Sequence, residues 1–413
     1  MLSRRQFLTR ALQGSSLLAM GAVVPQWVAR TAQAAEPGKD NILVVLEMTG
    51  GNDGLNTVIP YSDDLYHKAR PTLRQNKDVV IRLNDQVGLN SGMQGFRPMW
   101  DQGQLAVVQG VGYPSPERSH FEAMDIWQSA EIKKSTTTGW LGRATCEMKN
   151  ESAGVPILHV GSRGLPLALT GATGGGAVTV NDQNSFRLEL SGGKAVQQKA
   201  RRKLLEDLST PVEKPGNDDL TSFIQRRQVQ TLAAVETLRE LMEGPNAVPR
   251  QGGGLSQKLQ LIAGLIDRGF GTRIFYVSLD GFDTHAEQAT PHKNLLADLA
   301  SSVGGFFDTL KKTGHDGRVR LMTFSEFGRR VQENGSRGTD HGAASCLFLA
   351  GPSVKGGVVG KHPSLADLDA DDLKYHTDFR GIYATLLDGW LGCDSKAVLG
   401  GKWEHVEELE AKG

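Results

Sequence analysis

The sequence predicts a three-layer α/β domain built on a central, mostly parallel sheet, and three observations predict it. Short apolar runs recur along the chain and each ends in a cluster of glycine and polar residues. Stretches with apolar residues at helical spacing lie between them. The chain is also long enough for a large core, since about 379 of its 413 residues follow the N-terminal segment that closes at Ala34.

The runs come in order. Ile42 to Leu46 leads into Glu47-Met48-Thr49-Gly50-Gly51-Asn52-Asp53-Gly54, and Leu105 to Val111 precedes Tyr113-Pro114-Ser115-Pro116 and then Ser119-His120. Ile274 to Leu279 precedes Asp280-Gly281-Phe282-Asp283-Thr284-His285, and Val319 to Phe324 precedes Ser325-Glu326-Phe327-Gly328. Continuous apolar strands are those buried on both faces, as in parallel sheets, and open α/β sheets place ligands just past the strand ends. Helical spacing marks Ser119 to Glu131, Thr221 to Met242, Leu255 to Ile266, Leu295 to Lys311 and Phe379 to Leu391. From about Gly161 to Gly254 the chain is glycine-rich, then basic and polar with one long helix, and it reads as an insertion or lid over the sheet edge. The organisation expected is therefore a single domain over residues 35–413 carrying that insertion.

Residues 1–34 read as a twin-arginine signal peptide. Ser3-Arg4-Arg5-Gln6-Phe7-Leu8 opens a mildly apolar stretch that closes with Ala32-Gln33-Ala34. The stretch is broken by Gln13 to Ser16 and falls well short of the roughly 20 apolar residues of a membrane span, so it is an address and no stable membrane anchor. The expected location is periplasmic or secreted, with export in the folded state by the twin-arginine machinery. Removing the four arginines of this segment from 46 basic residues leaves 42 against 46 acidic ones. A slightly acidic chain without a basic block excludes nucleic acid as the expected partner and favours a small-molecule or glycan substrate. Cys146, Cys346 and Cys393 are too far apart for a disulfide framework or a zinc site and are expected as buried free thiols, though one bridge between two of them stays open.

Several clusters carry candidate chemistry. In Gly338-Thr339-Asp340-His341-Gly342 an acid beside an imidazole sits between glycines, after a strand, on a turn where the backbone can approach an ion. Asp280, Asp283 and His285 lie within six residues past a strand end, and two carboxylates with an imidazole can hold a divalent cation. Glu47, Asn52 and Asp53 follow the first strand, with glycines where an ion would have to come close. For each of these the plain alternative is a turn-forming acid or asparagine with a solvated histidine. Ser119 to Glu122 reads as a capping box, or as a nucleophilic hydroxyl at a helix N-terminus where dipole and free N–H groups stabilise an anion. Glu326 is a further metal or supporting group, His376 a further imidazole or a surface histidine, and Asp378 the cap of the last helix.

Together, GGNDGLNTVIPY, RSHFEAMDIWQSA, GWLGR, VSLDGFDTHAEQ, LMTFSEFGRRVQENGSRGTDHGAA and TDFRGIYATLL, in this order, resemble the domain of unknown function 1501 family, from about Asp40 to Leu399. That family is grouped with the alkaline-phosphatase-like superfamily of metal-dependent hydrolases and transferases. The resemblance implies metal ligands on strand ends, in the order acid, Ser or Thr nucleophile, Asp with His, adjacent Asp-His, and a last His. Asp53 (or Glu47), Ser119, Asp283 with His285, Asp340 with His341, and His376 follow that order. The first Asp and His are closer here than the superfamily spaces them, and the sulfatase pattern of Cys or Ser followed by x-Pro-x-Arg is missing at Ser115 to Arg118. The function expected is an exported hydrolase of a phosphate or related ester. One or two divalent ions (Zn, Mg, Mn or Ca) would be held by Asp53, Asp283, His285, Asp340 and His341, with Ser119 as nucleophile and His120 as a neighbouring hydrogen-bond donor. The departures leave open a catalytically silent binding or assembly protein on the same scaffold.

Overall fold

The computed structural model describes residues 40–133, 136–148, 156–161, 164–171, 177–180 and 254–409. The chain divides into two compact units, and the larger, residues 36–181 and 248–413, contains all of these. The smaller unit, with the expected export signal, lies outside the described residues, as do the expected helix from Thr221 to Met242 and most of the expected insertion.

The sheet is built from β1 (Ile42–Thr49), β2 (Leu105–Gly112), β3 (Ile157–Val160), β4 (Ala177–Val180), β5 (Ile274–Asp280), β6 (Val319–Phe324), β7 (Ser345–Ala350), β8 (Gly357–Val359) and β9 (Thr377–Asp378). Their spatial order is β8-β2-β7-β6-β1-β5-β3-β4, with β9 added to β2. β1 sits near the middle, parallel to β5 and β6, with Val45 level with Tyr276 on one side and Met322 on the other. Every pairing is parallel except those of β7, which runs against both β2 and β6. The sheet is thus mixed and mostly parallel, as the apolar runs predict.

Alternation explains why β1 reads as a continuous apolar run. Leu43 and Val45 face a core shared with helices α1 (His120–Ser129), α2 (Trp140–Glu147) and α5 (Phe379–Leu386). Trp127 stacks on Phe324 and Phe379, with centroids 5.5 and 4.4 Å away, and Trp140 stacks on Tyr383 at 4.0 Å. Val44, Leu46, Phe275 and Val277 are equally buried on the opposite face. There α3 (Leu255–Asp267) packs on β5, and α4 (Ala289–Thr313) lies along α3. Aliphatic and aromatic burial on both sides makes this sheet the layer that fixes every loop at its ends.

Three local expectations are corrected. Ser119 occupies the N-cap of α1 in extended conformation, but its side chain makes no capping hydrogen bond, so the capping box does not form. α4 begins at Ala289, ahead of the apolar spacing that starts at Leu295, because its first turn buries His292 in a polar network instead of an apolar stripe. The last helix is α-helical only to Leu386 and passes into a π-helical turn, Leu387–Leu391, that ends at left-handed Gly392. None of the three cysteines is disulfide-bonded; Cys346 and Cys393 are buried as expected, whereas Cys146 is exposed.

Past the end of β1, Asp53 and Arg70 form an ion pair in which both side chains are 0 % exposed. Asp53 also caps the short helix Gly54–Thr57 and accepts from Gln288, while Arg70 donates to the carbonyls of Val331 and Arg330. Burial alone would raise the Asp53 carboxyl, but the charge and hydrogen bonds of Arg70 outweigh it and hold the pKa below the usual carboxylate value. A depressed folded-state pKa contributes stability that is complete above the unfolded value, about 4, and is lost as pH falls through the folded one. Removing the cation leaves a buried carboxylate uncompensated, so Arg70→Met is expected to cost about 3–5 kcal/mol in urea denaturation at neutral pH. That loss should shrink toward acid pH, where Asp53 is protonated in wild type and variant alike.

Candidate metal centre

The candidate chemistry gathers at one end of the sheet. β1, β5 and β6 point their carboxyl ends there, delivering Gly50 and Gly51, Asp283 and His285, and Glu326 and Arg329. α1 starts there after β2, delivering His120. His341 arrives differently from the expectation that it follows a strand: it lies in the β6–β7 connection, bridged to Arg329, just before β7. Only because β7 is antiparallel does its beginning lie beside the ends of its neighbours.

His120, Asp283 and His341 each offer a ligand atom within 4.8 Å of the others. Asp283 Oδ1 is 3.0 Å from His285 Nε2, 3.2 Å from His341 Nε2 and 3.5 Å from His120 Nε2. The Nε2 atoms of His285 and His341 are 2.9 Å apart. Neighbouring ligands of a tetrahedral ion with bonds near 2.05 Å are separated by about 3.3 Å, so these spacings fit a small cation.

The second nitrogen of each ring is already committed. His120 Nδ1 is 2.9 Å from Glu326 Oε1, His285 Nδ1 is 3.2 Å from Asp340 Oδ1, and His341 Nδ1 is 2.9 Å from the Arg118 carbonyl. A carbonyl only accepts, so His341 carries its proton on Nδ1 and presents a lone pair at Nε2. The two carboxylates impose the same tautomer on the other rings. His120 Nε2 is buried and has no hydrogen-bond partner, which is the arrangement a ligating imidazole needs. The donor set therefore fits a divalent ion.

Electrostatics follow from these contacts. The hydrogen bond to Glu326 raises the His120 pKa against the opposing effect of burial, whereas burial lowers that of His341. Burial would raise the Asp283 carboxyl, but the hydrogen bond from Arg329, the contact with His341 and the nearby charges bring it down to about 2. Asp340 is lowered by its hydrogen bond from Asn334 and then by His285. Asp283 is thus ionised throughout the neutral range.

Arg329 holds these parts in place. Its buried guanidinium donates to the carbonyls of Gly50, Gly51, Phe282 and Thr339 and to Asp283 Oδ1. The glycines after β1 serve this packing and not the approach of an ion. Gly50 has φ +119°, and a Cβ there would lie 2.4 Å from the Asp283 backbone nitrogen. Gly338 is needed for the same reason, since its Cβ would meet the His285 carbonyl carbon at 2.2 Å.

The other expected site residues are placed elsewhere. Asp53 is no ligand, because both its oxygens are taken by Arg70, Gln288 and Asn56. Asn52 is buried and accepts from Thr57, with His292 Nε2 at 2.9 Å. Glu47 faces the interior, bonded to Tyr276, Thr49 and Gln128, with its pKa raised by burial. Asp280 ends β5 exposed, and His376 lies on the wall of a neighbouring cleft. Asp340 orients His285 instead of joining the ligand atoms, and Ser119 stands exposed beside His120. The sequence places His120 beside the expected nucleophile and not among the candidate ligands, and it does not single out Arg329. Both sit inside the quoted motifs, yet nothing in their local spacing distinguishes them.

Fold and site together define an α/β protein with a histidine-rich candidate cation site at the carboxyl ends of its strands. The chain belongs to the family described as protein of unknown function (DUF1501), whose sequence model matches residues 109–405. No curated protein matches it. Among solved structures it is similar to the PsFucS1 sulfatase from Pseudoalteromonas sp., at 10 % identity over 95 % of this chain and 78 % of that one, with a TM-score of 0.40. A protein in the alkaline phosphatase superfamily from Vibrio parahaemolyticus matches at 9 % identity over 93 % and 79 % of the two chains, with a TM-score of 0.38. A TAB5 alkaline phosphatase mutant with Mg bound in its M3 site matches at 10 % identity over 76 % and 92 %, with a TM-score of 0.34.

Lysine cannot reproduce the fork of Arg329, so Arg329→Lys leaves several buried carbonyls unsatisfied. It is expected to cost about 3 kcal/mol or more and to raise hydrogen–deuterium exchange in the 280–288 loop. Unchanged exchange there would show that the loops are held by other contacts.

Proposed function

We propose that the protein is an exported, metal-dependent hydrolase of a phosphate or related ester, on an alkaline-phosphatase-like scaffold. His120, Asp283, His285 and His341 would hold one divalent cation. The observation that carries this reading is the commitment of all three Nδ1 atoms outward, which leaves the Nε2 lone pairs of His285 and His341 facing each other at 2.9 Å. Two lone pairs at that distance repel unless a cation or a shared proton lies between them, and a bound metal ion would relieve both rings at once. A donor set of three imidazoles and one carboxylate suits zinc or a similar transition ion better than magnesium or calcium. With Asp53 bound to Arg70, the cluster supplies ligands for one ion, not two.

A divalent ion bound here supplies Lewis-acid polarisation of an ester oxygen and lowers the pKa of an attacking hydroxyl. The chain's own residues do the rest. Ser119 is exposed with its hydroxyl uncommitted to the helix cap, and it stands at the start of α1, where unpaired N–H groups favour an anion. Glu326 keeps the proton of His120 on Nδ1, and Asp340 does the same for His285. Arg329 keeps Asp283 ionised and in position.

Elemental analysis of protein purified without chelator tests the reading. About one equivalent of metal is expected, lost in His285→Ala with His341→Ala, and Glu326→Gln should weaken affinity about 10–100-fold. Turnover of p-nitrophenyl phosphate or the sulfate ester should require both the metal and Ser119. The confinement of Asp53 to a structural role favours a second reading, a silent binding or assembly protein, and bound metal with no ester turnover would select it. Export by the twin-arginine route is part of the proposal: Arg4→Lys with Arg5→Lys should hold the precursor in the cytoplasm on fractionation, whereas unchanged export would reject that route.

A further inference from the structure

A cleft of about 660 Å³ opens beside the histidine cluster, and Glu326 and Phe327 belong to both. Arg118 lines this cleft and stands directly before Ser119 in the chain. Its carbonyl accepts from His341 Nδ1, which ties its main chain to the cluster, while its guanidinium pairs with Asp372. That pair is unequal: the Asp372 side chain is 2 % exposed and the Arg118 side chain 40 %. The pairing engages Nη2 alone. Among the described residues Nε and Nη1 make no hydrogen bond, and neither atom is sealed from solvent.

The charge a ligand can touch here is mainly positive. Arg118 and Lys374, the latter 42 % exposed beside Asp367, both line the cleft. Of the three acids in the lining, Asp372 and Glu326 are buried, Glu326 with its oxygens held by the Gly50 amide, Ser325 and His120, and only Asp369 is exposed. The cluster leaves a matching need. A divalent ion held by Asp283 and three neutral imidazoles keeps a single net positive charge, whereas a phosphate monoester carries about two negative ones at neutral pH. Arg329 cannot make up the difference, because it is buried and engaged with backbone carbonyls and Asp283. A planar guanidinium such as that of Arg118 can meet a carboxylate along one edge and a tetrahedral oxyanion along another.

We propose that Arg118 binds the anionic end of the ester, a phosphoryl or sulfuryl group, through the donors that Asp372 leaves open, and that the Asp372 charge holds this binding weak. The inference rests on the hydrolase reading for its meaning, but its test does not. Titration calorimetry on the full chain, in buffer free of both anions, would be run with inorganic phosphate and with sulfate, before and after EDTA. Saturable binding of at least one is expected, and the tighter of the two identifies the ester. Arg118→Met combined with Asp372→Asn, a pair that leaves no lone buried carboxylate, should weaken it about tenfold. Asp372→Asn alone should strengthen it about threefold, because the guanidinium then carries an unopposed charge. Variants are compared at equal metal content, with circular dichroism verifying each fold. No binding of either anion, binding that the double variant retains in full, or equal weakening in the two folded variants overturns the proposal, the last by making the ion pair purely structural. Arg118-dependent binding by a chain that takes up no metal and turns over no ester overturns the hydrolase reading and leaves this one standing. Ester turnover that the double variant performs at the wild-type KM does the reverse.

Discussion

The candidate site hangs from one buried guanidinium. Arg329 donates to four backbone carbonyls, those of Gly50, Gly51, Phe282 and Thr339, and to the carboxylate of Asp283. These acceptors come from the loops after β1 and β5 and from the β6–β7 connection, so three segments remote in sequence share one cation. An arginine has five N–H donors in a rigid plane; here Nε meets Gly51, Nη1 meets Thr339 and lies 3.4 Å from His285 Nε2, and Nη2 shares its two hydrogens among Gly50, Phe282 and Asp283. The loops are consequently fixed relative to one another, and small glycines are required wherever their backbones touch.

A second guanidinium settles the fate of the other acid. Asp53 and Asp283 both follow apolar strands and both look like ligands in the sequence, yet Arg70 encloses Asp53 completely while Arg329 meets Asp283 through Oδ1 and leaves the side chain half-exposed toward the histidines. The difference is one of surroundings. Asp53 is fully buried in the loop past β1 and needs full neutralisation there, whereas Asp283 is half-exposed and keeps its charge available to other partners.

This contrast marks what the sequence could show. β1, β2, β5 and β6 were legible because burial on both faces forces continuous apolar runs, and the loops past their ends were legible as the ligand-bearing edge. The reversed direction of β7 was not, because Cys346 to Ala350 is as apolar as its parallel neighbours and periodicity carries no sign of direction. The pairing of His285 with Asp340 and of His120 with Glu326 joins residues 55 and 206 positions apart. Such contacts arise from the sheet order, which no local pattern encodes. Ser119 and Glu122 satisfied the capping-box pattern, yet Ser119 makes no capping bond and its neighbour His120 turns to Glu326.

Glu326 then joins the two halves of the site. It is fully buried, accepts from the Gly50 amide and the Ser325 hydroxyl, fixes the His120 tautomer, and lines the cleft. A carboxylate with that many partners cannot swing toward a ligand without abandoning hydrogen bonds made in a dry environment, so it acts as a wall and not as a mobile base. A group seated in the cleft therefore meets a surface whose other side sets the orientation of His120. The spacing between the cleft wall and the imidazole cluster is set by one buried side chain and not by a flexible loop, which is the rigidity that holding a ligand across both would demand.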